Sequence, residues 1–381
     1  MSKGGHFLAE QPKKNTKTWV TVVAVILAVI LLLGALGAWF VVSKMNKINR
    51  AERGDNQLSA EDIGKYLIED TTPTTEAETE PTTEATTAPT EETKPNYGKL
   101  GKIVNFLLIG QDARPGEDSK NSDTVLLVSV NKETKKITMI SFLRDSFVVI
   151  PKVYDTYGNE HSGQTKLTLA YAMGYKWGGD LGAMEIMDQV IERNFGAVVD
   201  YNVEINLDAF DAIINAVGYI TADLDEDEAA YMNEKFKDYP DRNYSVGENR
   251  LDGWAAEEYA RMRHSSNADN DYKRTARQRT VVSQVLERVK TMNVAQINAM
   301  VDSLLDMVLT DMTNADITTC ITELLPLLPE MTMDSLQCPN QDMDLSGKLI
   351  DLFKDGSPEQ SIQTFTESKA KAIITAITED D

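Results

Sequence analysis

The sequence has few residues of the kinds that form zinc sites or disulfide frameworks. Its 381 residues include two cysteines and three histidines. Neither Cys320 nor Cys338 has a partner at the spacing of zinc ligands, so a Cys/His metal site is not expected. The two cysteines could form one disulfide if this part of the chain lies outside the cell. Their low number nevertheless excludes a fold that disulfides hold together.

Positive charge is also scarce. The chain has 38 Lys and Arg against 60 Asp and Glu, which gives a net charge of −22. Such a chain repels other polyanions, so no nucleic-acid partner is expected. An anionic substrate would have to be bound by a local cluster of Arg and Lys side chains. Hydrophobic residues make up 42% of the sequence, which is enough for a substantial core.

The N-terminal region contains one long segment without charge, residues 19–42. About 20 apolar residues span a membrane, so this segment predicts a transmembrane signal-anchor after a cytoplasmic tail at 1–18. A cleaved signal peptide is the alternative, but its apolar region would have only about 7–15 residues. Residues 43–96 are predicted to be an extracytoplasmic juxtamembrane segment and stalk. The stalk, 71–95, is rich in Thr, Pro and Glu and is predicted to be disordered.

Residues 97–381 are predicted to form the folded domain. Three short apolar runs, 106–109, 125–130 and 137–142, are typical of strands that are buried on both faces. Strands and helices alternate further along, which indicates an α/β sandwich. A hairpin at 131–136 would make its sheet mixed.

Periodicity predicts the remaining elements. We expect strands over 198–205 and 219–224, an edge strand or loop at 148–151, and helices over 181–194, 209–217, 251–264, 272–292, 297–309 and 317–328. Ser59 and Asp62 predict the capped start of a short helix that runs to Ile68.

Charged residues stand at the ends of the three apolar runs: Asp112, Arg114, Asp123, Arg144 and Asp145. The ends of strands in α/β sheets are common ligand sites. Asp112 and Asp123 could bind one Mg²⁺, an ion that is often held by one or two carboxylates together with water and phosphate oxygens. In the alternative interpretation, Asp112 caps a turn and Asp123 pairs with Arg114 or Arg144.

Two further residues near these runs suit phosphate chemistry. Arg144 can make a bidentate contact with a phosphate group, whereas Asp145 could orient it, act as a base or be a solvated turn residue. Lys166 stands alone in an apolar segment. It could contact phosphate or simply extend its charged end into solvent.

A second basic cluster contains Arg261, Arg263, Arg274 and Gln278. Arg274 and Gln278 are four residues apart near a predicted helix start, where an anion is favoured. Joint use of Arg261 and Arg263 requires the preceding helix to end near them. Alternatively, these arginines balance neighbouring acids in surface pairs, which usually contribute about 0–1 kcal/mol each.

Six segments in order resemble the LytR-CpsA-Psr family of cell-envelope proteins: NFLLIGQDAR, NSDTVLLVSVN, ISFLRDSFVVIP, KLTLAYAMG, LDGWAAEEYARMRH and DNDYKRTARQR. They lie within residues 102–328. The resemblance implies a three-layer α/β/α sandwich with a cavity for a lipid tail. It also implies a membrane-anchored extracytoplasmic phosphotransferase. Such an enzyme moves a teichoic acid-like or capsular glycopolymer from a polyprenyl-pyrophosphate carrier to peptidoglycan and forms a phosphodiester.

The resemblance also assigns roles by motif. Asp112 and Asp123 match the ligands of Mg²⁺, for which Mn²⁺ could substitute. The residues that match pyrophosphate binding are Arg114, Arg144, Lys166, Arg261, Arg263 and Arg274, with Gln278 adjacent. The catalytic candidates are Asp123, Arg144, Asp145 and Arg263. Two other functions remain open: hydrolysis of the polyprenyl-pyrophosphate-linked substrate, and a non-catalytic lipid- or polymer-binding regulator of the envelope.

Overall fold

A computed structural model describes residues 49–69, 100–111, 120–262, 269–293, 296–297, 299–300, 307–352 and 359–379. The predicted transmembrane segment and stalk lie outside these residues, and so do Asp112, Arg114 and Arg263. None of the helices in the described ranges has both the length and the apolar character that crossing a membrane requires.

The strands of the described residues are β1 (Asn49–Arg50), β2 (Ile68–Glu69), β3 (Ile103–Gln111), β4 (Ser122–Asn131), β5 (Lys136–Phe142), β6 (Phe147–Tyr154), β7 (Glu160–Lys166), β8 (Tyr201–Ile205), β9 (Ile220–Leu224), β10 (Gly247–Leu251), β11 (Val308–Thr310), β12 (Thr332–Cys338), β13 (Ser346–Ile350) and β14 (Gln360–Thr364). The helices are α1 (Ala60–Tyr66), α2 (Leu167–Phe195), α3 (Leu207–Ala216), α4 (Glu226–Lys235), α5 (Gly253–Arg261), α6 (Asp269–Thr291), α7 (Asn314–Leu324) and α8 (Glu367–Thr378).

A seven-stranded sheet in the order β1-β11-β8-β3-β4-β5-β12 forms the centre of the fold. The strands β3, β4 and β5 are antiparallel neighbours, whereas β8 is parallel to β3 and β12 is parallel to β5. The turn between β4 and β5 is stabilised by Asn131, whose side-chain oxygen accepts hydrogen bonds from the backbone of Glu133 and Thr134. The predicted α/β fold with a central mixed sheet is therefore confirmed.

Helices cover both faces of the central sheet. Successive side chains of a strand point to opposite faces. Accordingly, Val125 and Leu127 of β4 pack in the cluster that contains α2 and α8, whereas Leu126 and Val128 pack in the cluster that contains Val282 of α6. The apolar runs that contain no alternating polar residues thus correspond to strands with two buried faces, as the sequence predicts.

Residues 49–69 belong to the same folded unit as the rest of the described chain, which corrects the predicted boundary near residue 97. The residues described from Asn49 onward belong to one compact unit. Strand β1 pairs with β11 in the central sheet, and β2 pairs with β7. Leu58 and Ile63 are buried in the core against α2, so this segment shields apolar surface that would otherwise contact water. Ser59 and Asp62 form a capping box, as predicted, and α1 ends at Tyr66.

The long helix α2 changes direction at Gly178 and Gly179, which have non-helical backbone angles. The backbone of residues 52–54 fits into this break: Gly54 N donates to Gly178 O at 2.9 Å, and Leu181 N donates to Glu52 O at 3.1 Å. A Cβ at Gly179, where φ is +67°, would lie 2.6 Å from Gly54 N. The sequence predicts only the part of α2 after this break, because the glycines interrupt its apolar pattern.

One other predicted element differs from the structure, and one is confirmed. The helix predicted over 297–309 is wrong at its end, because Val308–Thr310 forms β11 and bridges β1 and β8 in the sheet. Of the edge strand or loop predicted at 148–151, the edge strand is present: it is part of β6, which lies at the edge of the three-stranded sheet β2-β7-β6. Pro151 lies where the register shifts between Ile150 and Val153, a position at which a residue without an N–H is tolerated.

The two cysteines are free thiols and do not form the disulfide that the sequence left open. Cys338 packs in the core cluster on the α2 face of the sheet, whereas Cys320 packs in a separate cluster with Leu100. Burial raises the pKa of the Cys338 thiol and raises that of Cys320 to about 12. Both thiols are therefore poorly reactive at neutral pH.

Candidate functional site

The candidate site lies at one edge of the central sheet. The last residue of β3, Gln111, pairs with Ser122 at the start of β4, and Phe142 at the end of β5 pairs with Val125. This register brings Asp123 and Arg144 to the same edge. Arg144 Nη1 donates to Asp123 Oδ1 in an ion pair whose side chains are 24% and 25% exposed. The Asp123–Arg144 pairing that the alternative interpretation predicts is thus present.

A cavity of about 400 Å³, here called the apolar cavity, opens beside this ion pair. Its polar lining is Gln111, Asp123, Thr124, Arg144, Asn206, Glu257, Arg261, Arg274 and Gln278. Its apolar side-chain lining includes Leu108, Leu126, Ile205, Phe210, Ala260 and Val282.

The polar and apolar parts of this lining follow one another along two elements. On β4, Asp123 at the sheet edge is followed by Leu126 further in. On α6, Arg274, Gln278 and Val282 occupy one face of the helix at successive intervals of four residues, over about 12 Å. The cavity is therefore charged at the sheet edge and apolar toward the interior.

The arginines of the second basic cluster are held at the charged end. Arg274 is 2% exposed, and its Nη2 donates to the Asp123 carbonyl oxygen at 3.2 Å. Arg261 is the last residue of α5, and its Nη1 donates to Glu257 Oε1 at 2.6 Å. The helix ends at this point, as joint use of Arg261 and Arg263 requires. The pairing of Arg261 with Glu257 also fits the alternative interpretation, in which the arginines of this cluster balance neighbouring acids.

Arg277, which precedes Gln278 on α6, has a structural role instead. It is 3% exposed, and its Nη1 donates to Glu228 Oε1 at 3.0 Å. Its Nη2 donates to the carbonyl oxygen of Met262. This arginine therefore joins α6 to α4 and to the end of α5.

Several carboxylates lie close together near Phe210, a residue that lines the apolar cavity. Partial burial, the largest cause, and the nearby carboxylates of Glu257, Asp252 and Asp208 together raise the pKa of Asp211 to about 6. The guanidinium of Arg261, which pairs with Glu257, supplies positive charge to this otherwise acidic wall. An anion in the cavity would therefore be attracted by the arginines and not by this acidic wall.

A second cavity of about 280 Å³, here called the polar cleft, also borders on Asp123 and Arg144. Its other lining residues are Asn121, Asp145, Lys166, Thr168, Leu169 and Gln360. Lys166 Nζ lies 3.3 Å from Asp145 Oδ1, with side chains that are 10% and 20% exposed. Among the predicted residues, Arg261, Arg274 and Gln278 line the apolar cavity, whereas Asp145 and Lys166 line the polar cleft. Asp123 and Arg144 line both.

Asp123 is the one predicted metal ligand within the described residues, and it faces both cavities. The described part of the chain contains no group of three or more His, Cys, Asp or Glu that could hold a metal ion. A magnesium site can consist of one or two protein carboxylates, water and substrate phosphate oxygens. The carboxylate of Asp123 at a cavity wall fits such a site.

The sequence did not identify several lining residues as parts of a site, among them Glu257, Asn121 and Gln360. Glu257 precedes Arg261 by four residues, a spacing that signals a helical ion pair. Asn121 is the first residue of the segment NSDTVLLVSVN, which also contains Asp123. Gln360 carried no signal, because tertiary structure alone brings β14 to the cleft: Gln363 N donates to Asp145 O at 2.8 Å.

Comparison with known proteins agrees with this architecture. The LytR_cpsA_psr family model matches residues 67–367, and the chain belongs to this family. A solved structure of the protein gbs0355 from Streptococcus agalactiae is similar, with a TM-score of 0.57 and 26% identity. This similarity covers 72% of the present chain and 86% of that one.

Two curated relatives show the range of the family. The polyisoprenyl-teichoic acid–peptidoglycan teichoic acid transferase TagU of Oceanobacillus iheyensis is 30% identical over 220 residues, which are 58% of this chain and 62% of the relative. Biofilm regulatory protein A of Streptococcus mutans is 32% identical over 193 residues, 49% of this chain and 44% of the relative. The chain thus spans less than two thirds of the length of either relative.

Proposed function

We propose that this protein is a phosphotransferase that moves a glycopolymer from a polyprenyl-pyrophosphate carrier to peptidoglycan. The observation that carries the proposal is the apolar cavity, with Arg144, Arg261 and Arg274 at its charged end. A polyprenyl pyrophosphate has the same two parts, a hydrocarbon tail and a diphosphate. The name of the transferase TagU supports teichoic acid as the type of polymer.

The local charge supports a diphosphate in particular. The chain carries a net charge of −22, yet three arginines line one end of a single cavity. Guanidinium groups bind phosphate oxygens through paired hydrogen bonds. The Asp123–Arg144 ion pair, at about 25% exposure, contributes little to stability, so structural stabilisation alone is a weak explanation for its position.

In the proposed reaction, a hydroxyl of the acceptor sugar attacks the phosphorus that carries the glycopolymer. A new P–O bond forms, and the bridging P–O bond breaks, with its electron pair remaining on the departing polyprenyl phosphate. Arg144, Arg261, Arg263 and Arg274 stabilise the charge on the leaving group. Asp145, at the polar cleft, accepts the proton of the attacking hydroxyl, and Lys166 next to it orients this carboxylate.

Asp112 and Asp123 would hold Mg²⁺, or Mn²⁺ in its place, which when bound neutralises part of the diphosphate charge. Arg114 belongs to the same motif as Asp112 and would add a contact with the phosphates. The test is removal of divalent ions from the purified protein. We expect release of polyprenyl phosphate to stop with a chelator and to return with Mg²⁺. Unchanged release in the chelator would contradict a metal role.

We also propose that residues 19–42 anchor the protein in the cell membrane, with residues 1–18 in the cytoplasm and the folded unit outside. The apolar length of this segment supports the proposal. Intact cells treated with an external protease test it. The folded unit should be accessible in intact cells, and the protein should remain in the membrane fraction after a high-salt wash.

The decisive experiment supplies the purified chain with a polyprenyl-pyrophosphate-linked glycopolymer and soluble peptidoglycan fragments. A transferase joins polymer to peptidoglycan and releases polyprenyl phosphate in equal amounts. A hydrolase releases polymer phosphate that remains unattached. Binding of the lipid-linked substrate without either product would favour a regulator, the function that the name of the S. mutans relative suggests.

A further inference from the structure

The apolar cavity and the polar cleft lie on opposite faces of the central sheet and meet at its edge. Helices α3, α5 and α6 enclose the first, whereas the start of α2 and strand β14 border the second. Asp123 and Arg144 line both. A group bound at this ion pair is therefore accessible from two sides that differ in chemistry.

This arrangement matches the requirement of phosphoryl transfer. The attacking and the leaving oxygen lie roughly in line, on opposite sides of the phosphorus. With the polyprenyl phosphate in the apolar cavity, the incoming hydroxyl must approach from the other side. We propose that the polar cleft is the binding site of the acceptor saccharide and that Gln360 helps to select it. This inference rests on the proposed function.

The lining of the cleft suits a neutral sugar better than a second phosphate. Asn121, Thr168 and Gln360 carry amide and hydroxyl groups, which both donate and accept hydrogen bonds, as sugar hydroxyl and acetamido groups also do. Lys166 contributes a positive charge, but Asp145 lies 3.3 Å from it and balances that charge. Leu169 adds an apolar surface of the kind on which a sugar ring can lie.

The strand that carries Gln360 is fixed to the site. Gln363 N donates to Asp145 O at 2.8 Å, and Ser146 forms a parallel bridge with Gln363. On its other side β14 pairs with β13. Gln360 is thus held next to the turn that carries Arg144 and Asp145. A side chain on a fixed element at the entry side of the acceptor is well placed to determine which saccharide is used.

Within this site, the acceptor hydroxyl forms a P–O bond to the polymer phosphate as the bond to polyprenyl phosphate breaks. Its proton passes to the carboxylate of Asp145. Water can take the place of the sugar and would give the hydrolysis product through the same displacement. The neutral side chains of the cleft, which contact the sugar and take no part in the displacement, should therefore affect the sugar reaction and leave the water reaction unchanged.

The test compares Gln360→Ala and Asn121→Ala with the unmodified full chain. Each substitution should raise the KM for a soluble disaccharide–peptide fragment of peptidoglycan about 3- to 10-fold, the effect of losing one neutral hydrogen bond. Hydrolysis of the lipid-linked substrate in the absence of the fragment should not change. Ser361→Ala is the matched control, because Ser361 is the exposed neighbour of Gln360 on the same strand. It should leave both reactions unchanged.

A bulkier variant, Gln360→Trp, should narrow the cleft so that it excludes the saccharide but still admits water, which abolishes transfer while hydrolysis continues. An unchanged thermal transition shows that the variant folds. Calorimetric titration with the fragment alone provides a measurement that does not depend on turnover. The proposal is overturned if Gln360→Ala changes neither the binding of the fragment nor the KM for the fragment. It is also overturned if the substitution weakens the binding of the lipid-linked donor and the binding of the fragment equally. Failure of the unmodified chain to turn over the donor refutes the proposed function but leaves the fragment-binding result to decide the role of the cleft.

Discussion

Replacement of Arg144 by alanine tests the proposed chemistry most directly. Arg144 lines both cavities and pairs with Asp123 at the sheet edge. If it stabilises charge on the departing phosphate, its loss removes a preorganised donor at the reacting group. Such donors contribute about a 10²- to 10³-fold factor in rate, or about 2.7–4 kcal/mol of barrier. We expect release of polyprenyl phosphate to fall by this factor.

The effect on folding should be much smaller, because the Asp123–Arg144 pair is accessible to solvent. An ion pair at 24% and 25% exposure contributes about 0–1 kcal/mol. In a chain of this size, 1 kcal/mol shifts Tm by no more than about 2–4 °C. A large loss of rate with a small change in Tm therefore distinguishes a catalytic role from a structural one.

Two variants complete this experiment. Arg144→Lys retains the charge but not the paired hydrogen-bond geometry, so its rate should fall between those of the alanine variant and the unmodified protein. Arg193→Ala is the control, because Arg193 forms a more exposed ion pair with Glu367 at 2.7 Å and lines neither the apolar cavity nor the polar cleft. The assay measures polyprenyl phosphate released at saturating acceptor. Full release activity in Arg144→Ala would refute the reasoning.

Three other predictions concern stability and thiol chemistry. The pKa of Asp211 is raised to about 6, so the stability that its protonated form gives the fold is lost as the pH rises from about 4 through 6. Asp211→Asn should therefore increase the free energy of unfolding by about 1 kcal/mol at pH 7.5, after allowance for solvent screening, and by nothing measurable at pH 4. Gly179→Ala should lower stability by about 1–3 kcal/mol in thermal denaturation, because of its positive φ and the adjacent backbone, whereas Gly64→Ala, in open space on α1, should be neutral or stabilising. Cys320 and Cys338 should both react with a thiol reagent in the denatured protein and should react slowly in the folded protein. A protein mass, measured without a reducing agent, that is about 2 Da below the mass of the dithiol form would instead show a disulfide.

The central strands and the charged sheet edge could be predicted from sequence for a local reason. Strands with two buried faces are uninterrupted apolar runs, and the runs at β3, β4 and β5 have charged residues directly at their ends. Such a run can be recognised from its own residues, without information on the rest of the chain. The capped helix α1 was likewise predictable, because Ser59 and Asp62 satisfy each other within four residues.

The parts that the sequence did not predict depend on partners that are distant in the chain. The extent of α2 was underestimated, since its break at Gly178 and Gly179 is stabilised by residues 52–54. The short strand β11 exists only because β1 and β8 flank it. Gln360 reaches the cleft through backbone contacts with a turn more than two hundred residues earlier. Local composition carries no information on any of these contacts.

The position of residues 49–69 changes how the Thr-, Pro- and Glu-rich segment is understood. Strand β2 ends at Glu69, which pairs with Gly163, and the chain is buried again at Leu100. The segment between them therefore connects two parts of one folded unit, and it does not separate a membrane-proximal piece from an independent domain. A truncation at residue 97 would remove β1, α1 and β2 from the fold, and with them the buried side chains of Leu58 and Ile63.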